Sequence, residues 1–290
     1  MTTPSVDYSF AFDDYLFGGI GQGVQVLEVT GLEDLPSLRV QDDNRGYFDG
    51  MFTGRDFLNA RVITMKLQIM SDQTNSMFTY LDRMKASLVS QTTGTTPLLF
   101  KLPTRSFVQK VYARVRRRTI TIDPQYTYGK AYAYVEFFCP DPRIYASDGQ
   151  QIALGTTTGY GRAYSRSYSG GGFTYTVSTG TLSNYQTIYN YGNTNTYPVI
   201  TLTGGCTNPK ITDQSTGQIL QFTTTLGASD VLTINTDTRQ ILLNGVNARN
   251  LLDASSQWFY LPPGGTTLSF LATTANPNTT CVVSWSDAYL

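Results

Sequence analysis

The chain has 290 residues, and its 21 basic and 21 acidic side chains give a formal net charge of zero. That balance excludes the global positive field that draws proteins to nucleic acid or anionic lipid. The absence of histidine removes the commonest general base and the commonest metal ligand. The 20 tyrosines, 15 phenylalanines and 26 glycines favour a protein of sheets and turns over a helical one.

The reactive residue types show no catalytic or metal-binding pattern. Cys139, Cys206 and Cys281 are too far apart in sequence for a metal knuckle, so we predict buried, reduced thiols. The N-terminus lacks the features of a signal peptide, and no apolar run approaches the roughly 18 residues of a membrane span. We therefore predict no catalytic residue, metal, cofactor or membrane contact, with a two-carboxylate glycosidase as the enzyme alternative.

The segment 35–61, called the arm below, combines chain breakers with large apolar side chains. Pro36, Gly46, Gly50 and Gly54 interrupt regular structure. Its apolar anchors would be costly to leave in water, so we predict that the arm covers a neighbouring subunit. The alternative is that it folds back onto its own domain. The predicted oligomer-interface residues are Phe48, Phe52, Arg55 and Phe57.

A strand and the only predicted helix follow the arm. Apolar residues alternate from Ile63 to Ile69, which predicts a strand with one buried face. The helix is predicted over residues 73–89, capped by Ser71 or Asp72. Its apolar stripe has the spacing of one helical face and consists of Met77, Leu81, Met84 and Leu88.

Residues 108–122 and 129–139 are predicted to pair as a hairpin. The first of these strands contains the only basic run of the chain. A regular strand would place Arg114, Arg116 and Arg118 on one face and Arg117 on the other. A solvated face, or ion pairs to a neighbouring subunit, is favoured over nucleic-acid binding, which would need more basic residues on one surface.

A domain boundary is predicted where Pro140 and Pro142 interrupt the sheet. It separates a β-rich domain with one helix, residues 1–145, from a domain of residues 146–290. A fragment that starts near residue 173 is expected to remain folded.

The start of the second domain is rich in Gly, Ser, Thr and Tyr. Tyr160, Tyr164 and Tyr168, interleaved with arginines, are predicted to contact a surface ligand or partner. The alternative is a loop and an edge strand with ordinary exposed tyrosines. From residue 197 onward, short alternating segments between Gly, Pro and Asn predict an antiparallel β-sandwich. Trp258 and Trp285 are expected in its core.

Several short motifs occur in a characteristic order along nearly the whole chain. They are Leu35-Pro36, Asp49-Gly50, Gly54-Arg55-Asp56-Phe57, Phe137 to Tyr145, Pro198 to Gly204, Asp230 to Thr236, Trp258 to Gly264 and Val282 to Trp285. With one helix and a proline boundary between the halves, this order resembles the distal tail proteins of siphovirus-type bacteriophages, a family of minor tail proteins.

The resemblance implies a structural part of a virion and not an enzyme. The first domain would close six copies into a ring, and the second would be a galectin-like antiparallel β-sandwich. The homo-hexamer would join the tail tube protein to the tail hub or tip protein of the baseplate. It would surround the channel that passes DNA and tape-measure protein.

The resemblance also implies a location and leaves one alternative function. The protein would be assembled in the host cytoplasm and would reside in the tail tip of the virion. No specific nucleic acid is expected as a partner. The alternative is a carbohydrate-binding module or adhesion protein that recognises a host cell-surface saccharide.

Overall fold

The structure is a computed structural model and describes residues 2–19, 21–71, 76–91, 93–155, 183–276 and 278–290. The chain divides into two compact units, which are Met1–Asp148 with Tyr289–Leu290, and Gly149–Ala288. The described residues form several antiparallel sheets and two helices, so the predicted mainly β fold class is confirmed. That the two halves fold independently stays a prediction.

The first unit is built around one large sheet and one core. The strands follow the order β2-β1-β9-β10-β11-β8-β3, and β12 also pairs with β10. The elements are β1 (Ser9–Phe12), β2 (Tyr15–Gly18), β3 (Val24–Thr30), β4 (Leu38–Arg39), β5 (Asp43–Asn44), β6 (Met51–Phe52), β7 (Phe57–Leu58), β8 (Arg61–Met70), α1 (Met77–Ser87), β9 (Thr96–Lys101), β10 (Gln109–Thr121), α2 (Pro124–Thr127), β11 (Lys130–Cys139) and β12 (Ile144–Ala146).

The predicted β8 strand and the α1 stripe both supply this core. Inward-facing residues of β8, from Ile63 to Ile69, are fully buried. The helix is shorter than predicted and is capped by Ser76, whose Oγ accepts from the N–H of Thr79. The expected cap at Ser71 or Asp72 is therefore wrong. The whole predicted stripe is buried, namely Met77, Leu81, Met84 and Leu88.

The predicted hairpin of β10 and β11 is present, but it contains two features that the sequence did not indicate. A one-turn helix, α2, lies in the connection between the strands, and Asp123 caps it. A β-bulge interrupts β10 between Val115 and Arg117. The extra residue of a bulge shifts every following side chain to the opposite face, so the simple alternation predicted for the basic run is wrong.

The second unit consists mainly of two antiparallel sheets with a shared core. One has the order β13-β25-β15-β20-β21-β22, and the other β14-β23-β17-β18. The elements are β13 (Gln150–Gly155), β14 (Tyr185–Asn190), β15 (Val199–Thr203), β16 (Cys206–Thr207), β17 (Lys210–Asp213), β18 (Ile219–Gln221), β19 (Thr225–Leu226), β20 (Val231–Asn235), β21 (Gln240–Leu243), β22 (Val246–Asn247), a 3-10 helix (Arg249–Leu251), β23 (Gly264–Leu271), β24 (Thr274–Ala275) and β25 (Thr280–Trp285). The last strand, β26 (Ala288–Tyr289), has one residue in each unit.

Inward-facing residues of both sheets fill one core, as in a sandwich. Ile200 and Val283 from the first sheet, and Ile211 and Phe270 from the second, belong to the same buried cluster. Such interdigitation of two inner faces is what defines sandwich packing. Strand β13 pairs with β25 along its full length, so a fragment that starts near residue 173 would lack a strand of this sandwich.

The tryptophans and cysteines largely follow expectation. Trp285 is buried in the second core, and its Nε1 donates to the carbonyl of Tyr189 at 3.1 Å. Trp258 is only partly buried and packs against the same core. All three cysteines are buried free thiols. Burial raises the pKa of the Cys139 thiol to about 12, so this thiol stays protonated at neutral pH.

Candidate assembly interface

The arm consists of two short antiparallel ladders that do not join the main sheet. Nearer the body, β4 pairs with β7 and places Leu38 opposite Leu58. Farther out, β5 pairs with β6 and places Asn44 opposite Met51. Each ladder forms a two-stranded sheet of its own. Because isolated two-stranded ribbons are marginally stable in water, the arm depends on additional contacts.

Gly54 connects the two ladders at a point where no side chain fits. A Cβ atom on Gly54 would lie 1.8 Å from the carbonyl oxygen of Gln41. The Gly54 N–H donates to Oδ1 of Asp42 at 2.8 Å. Close backbone approach thus requires glycine at this position. The glycine that the sequence presents as a chain breaker is therefore a structural part of the arm.

A buried arginine, Arg61, holds the base of the arm. Its side chain is 2% exposed, and Nη1 donates to the carbonyls of Gly31, Leu32 and Asp34 at 2.9, 2.7 and 2.6 Å. Its Nε donates to the carbonyl of Pro142 at 2.9 Å. Burial lowers the pKa of the guanidinium, and nearby Cys139 and Asp34 act in the opposite direction. Arg61 therefore ties the chain that enters the arm to the end of β11.

The sequence indicates that Arg61 is buried, although the prediction did not use this indication. Arg61 occupies the same phase of the β8 alternation as Ile63, Met65 and Leu67, all of which face the core. A charged residue at an inward-facing strand position must find hydrogen-bond partners inside the protein. The alternation therefore identifies Arg61 as a structural residue, although it does not say which carbonyls it meets.

Large apolar side chains remain uncovered at the outer end of the arm. Tyr47 is 97% exposed and Phe48 is 80% exposed. Met51 and Phe52 in β6 are 51% and 60% exposed. Burial of such side chains is worth roughly 25 cal/mol per Å² of apolar area. A cluster of this kind is unusual, because soluble proteins rarely expose contiguous apolar patches. We call these four residues the arm tip.

Three arginines of the arm lie over its phenylalanine rings. The guanidinium of Arg45 is 4.8 Å from the Phe52 ring centroid. Those of Arg39 and Arg55 are 5.2 and 5.3 Å from the centroid of Phe57. These cation–π contacts order the rings without burying them. Arginine and aromatic side chains are also the types that dominate protein interfaces.

The structure places the predicted interface residues in two groups. Arg55 and Phe57 are in contact at the inner ladder, whereas Phe48 and Phe52 belong to the arm tip. Prediction did not include Arg39 and Arg45, since their stacking depends on the register of the two ladders. Tyr160, Tyr164 and Tyr168 lie outside the residues that the structure describes.

Other kinds of site find little support in the described part of the chain. No group of three or more histidine, cysteine, aspartate or glutamate side chains is arranged there to hold a metal ion. Among the described helices, none has the length and apolar character needed to cross a bilayer. The arm remains the surface feature with the clearest functional character.

Comparison with known proteins gives the class of the molecule. Residues 191–289 match the model of the family described as siphovirus-type tail component, C-terminal domain. No curated protein matches the chain. The matched part is similar to a component of a bacteriophage tail. The resemblance to distal tail proteins of siphovirus-type phages that the sequence indicates is confirmed by this match.

Two solved structures share the fold at low sequence identity. The Dit protein of phage SPP1 is 16% identical, with a TM-score of 0.65 over 97% of this chain and 99% of that chain. Its crystal structure is described as a paradigm of the hub adsorption apparatus in phages that infect Gram-positive bacteria. A chain of the phage P2 baseplate, in its activated conformation with Ca, is 11% identical, with a TM-score of 0.51 over 95% and 97% of the two chains.

Proposed function

We propose that this protein is the hub subunit of a phage tail tip and assembles head to tail with further copies of itself into a sixfold ring. The observation that carries the proposal is the exposed arm tip on a base held by Arg61. A contact between two different surfaces of the same chain generates a closed ring when the rotation closes. The similarity to SPP1 Dit, a hub protein, supports the same assignment.

The apolar character of the arm tip also favours a second copy as the cover of the arm. Permanent assemblies typically bury more than about 2,000 Å², and four large exposed side chains on one projecting ribbon supply an apolar centre for such an interface. The ring would lie between the tail tube protein and the tail hub or tip protein, around the channel for DNA and tape-measure protein. Assembly would take place in the host cytoplasm.

The test compares an arm variant with a matched surface variant of the full chain. Phe48→Ser with Phe52→Ser removes two rings of the arm tip. Tyr191→Ser with Val246→Ser removes two apolar side chains that are each 70% exposed in the second unit. Light scattering after size exclusion, together with negative-stain electron microscopy, measures the oligomer. We expect rings from the wild type and from the surface variant, and folded monomers from the arm variant.

Two results would contradict different parts of the proposal. A wild-type protein that stays monomeric at high concentration excludes the ring. An arm variant that assembles as the wild type does excludes the arm as the contact, while leaving the ring to be explained by another surface. Circular dichroism of each variant establishes that any loss of assembly is not a loss of folding.

A further inference from the structure

The basic run of β10 is divided between the two faces of its sheet by the bulge. Arg118 pairs in register with the buried Val135, so it faces inward, where its Nη1 donates to the carbonyls of Lys85 and Leu88 at 2.8 Å each. It therefore satisfies carbonyls at the C-terminal end of α1. The Arg118 guanidinium therefore binds backbone carbonyls within the first unit.

The other three arginines converge on the opposite, outer face. Arg114 pairs with Phe138, and Arg117 pairs with Glu136, which lies two positions before Phe138 in β11. Both partners point away from the core, because Phe137 between them is fully buried. Arg116, the extra residue of the bulge, lies over the ring of Phe138. The bulge thus exchanges Arg118 for Arg117, so that Arg114, Arg116 and Arg117 share the outer face.

The contacts of these arginines leave their hydrogen-bond donors available. The guanidinium of Arg116 is 3.4 Å from the centroid of the Phe138 ring, and that of Arg114 is 5.2 Å from it. Stacking uses the flat face of a guanidinium and leaves its N–H edge free. Within the described chain, no carboxylate forms a salt bridge with Arg114, Arg116 or Arg117.

Lysines extend this cationic surface along the neighbouring strands. Lys66 on β8 lies over the ring of Tyr134 at 5.8 Å, and Lys130 lies over Tyr132 at 5.3 Å. The outer face carries two acidic side chains near them, Glu136 and Glu28. The latter is in register with Lys66. These five cations outnumber the two carboxylates near them, and a third carboxylate, Asp141, lies near Tyr112 of β10 in a salt bridge with Arg143.

We propose that the outer face of β8, β10 and β11 binds the phosphate backbone of duplex DNA. A cluster of lysine and arginine on one face is the electrostatic signature of nucleic-acid binding. Arg114 and Arg117 face β11 residues two positions apart, so they are separated by about 7 Å along the strand at about 3.4 Å per residue. Each strand of duplex DNA carries one phosphate charge per about 3.4 Å of the helix axis, so guanidinium groups about 7 Å apart along β10 can reach two phosphates of the same strand.

The surroundings favour a backbone contact over base stacking or an apolar partner. Arg114 and Arg116 cover the Phe138 ring, while Lys66 and Lys130 lie over the rings of Tyr134 and Tyr132. These three rings are therefore already stacked with cations and are less available to an unpaired base. Arg117, the hydroxyl groups of Thr64 and Thr119, and the carboxylate of Glu136 line a shallow depression. Arg117 opposes the charge of Glu136, and the two hydroxyl groups can donate to phosphate oxygens. Such contacts carry no sequence information, so the binding is independent of base sequence.

The test measures binding of the full chain to a fluorescein-labelled duplex by fluorescence anisotropy. At about 50 mM salt, phosphate contacts are strong. The test variant combines Arg114→Gln, Arg116→Gln and Arg117→Gln. The control, Lys210→Gln with Arg239→Gln and Arg249→Gln, removes the same charge from the second unit. We expect the test variant to lose about tenfold or more in affinity, and the control to bind as the wild type does.

The salt dependence gives an independent readout. Loss of three phosphate contacts should reduce the slope of log K against log salt by about 2.7, at roughly 0.9 per phosphate. The same titration on the Phe48→Ser, Phe52→Ser variant separates this proposal from ring formation, because DNA binding is measured there whether or not the protein assembles. An unchanged melting temperature of the arginine variant shows that folding is intact.

Several outcomes would overturn the proposal. These are a wild-type chain that does not bind the duplex, an arginine variant that binds it equally well, and a control variant with the same loss. A fourth is an arginine variant that fails to assemble, because the face would then be a protein interface. Failure of the arm variant to form rings, with duplex binding retained, would leave this proposal intact.

Discussion

The arm and the core of the second unit use aromatic side chains in opposite ways. Trp285 and Phe270 are buried between two sheets, where a ring contributes to the stability of its own chain. Phe48 and Phe52 are similar in chemistry, yet 80% and 60% of their surface is exposed. Since the hydrophobic effect depends on area removed from water, the rings of the arm contribute little until another molecule covers them. Substitutions should therefore separate folding from assembly.

The largest effect is expected for Trp285→Ala. Truncation of a buried tryptophan typically costs about 3–5 kcal/mol, and here it also removes the donor to the Tyr189 carbonyl. Denaturant unfolding monitored by circular dichroism should show this loss in the second unit. Trp258→Ala, at a partly buried position, should cost clearly less. A Trp285 variant as stable as the wild type would contradict the sandwich core described here.

A somewhat smaller effect, about 3 kcal/mol, is expected for Arg61→Met. Methionine retains much of the volume but leaves the carbonyls of Gly31, Leu32, Asp34 and Pro142 without their donor. Hydrogen bonds to charged groups are worth about 1.5–3 kcal/mol each, but their loss is partly offset because no guanidinium then has to be buried away from water. Amide hydrogen exchange should increase around residues 31–35. Normal protection there would show that Arg61 does not hold the base of the arm.

Arg118→Met and Arg117→Met form a matched pair on one strand. Arg118 donates to two carbonyls at the end of α1, so its loss should cost about 1–2 kcal/mol. Arg117 has no salt bridge among the described residues and is exposed, so its loss should change the stability by less than about 0.5 kcal/mol. Thermal unfolding of both variants measures the difference. Equal losses of stability in the two variants would contradict the register after the bulge, which places Arg118 inside and Arg117 outside.

The smallest effect on stability is expected for Phe48→Ser with Phe52→Ser. Exposed substitutions usually stay within about 0.5 kcal/mol, so the monomer should unfold at nearly the same denaturant concentration as a dilute wild-type monomer. Assembly, in contrast, should be lost. A strong loss of monomer stability would mean that the arm folds back onto its own domain, as the alternative interpretation holds.

The sequence predicted the regular parts of the fold because their signals are local. Alternation from Ile63 to Ile69 and the stripe through Leu81 correspond to buried faces, as period-two and period-3.6 patterns require. The predicted cap of α1 failed because several residues near its start are able to cap a helix, and only the structure selects Ser76. Helix α2 is a single turn, too short for a periodic pattern.

The candidate interface was predictable in composition but not in geometry. Pro36, the glycines and the apolar anchors identify the arm as a segment without a core of its own, because those residue types act through local backbone and solvent effects. Which phenylalanine lies under which arginine follows from the pairing of β4 with β7 and of β5 with β6. That register is set by contacts between residues that are distant in sequence.

Sequence alone determined the mainly β class, the apolar faces of the long strands and the existence of an unusual arm. Only the tertiary structure decided the role of each arginine. Arg61 is buried because carbonyls from residues 31–34 and 142 meet there, and Arg118 faces inward because one extra residue in β10 reverses the alternation. The face on which a side chain lies follows from the alternation of its own strand. Its hydrogen-bond partners, however, come from residues distant in sequence, so the role of a charged side chain is set only when the strands pair in register.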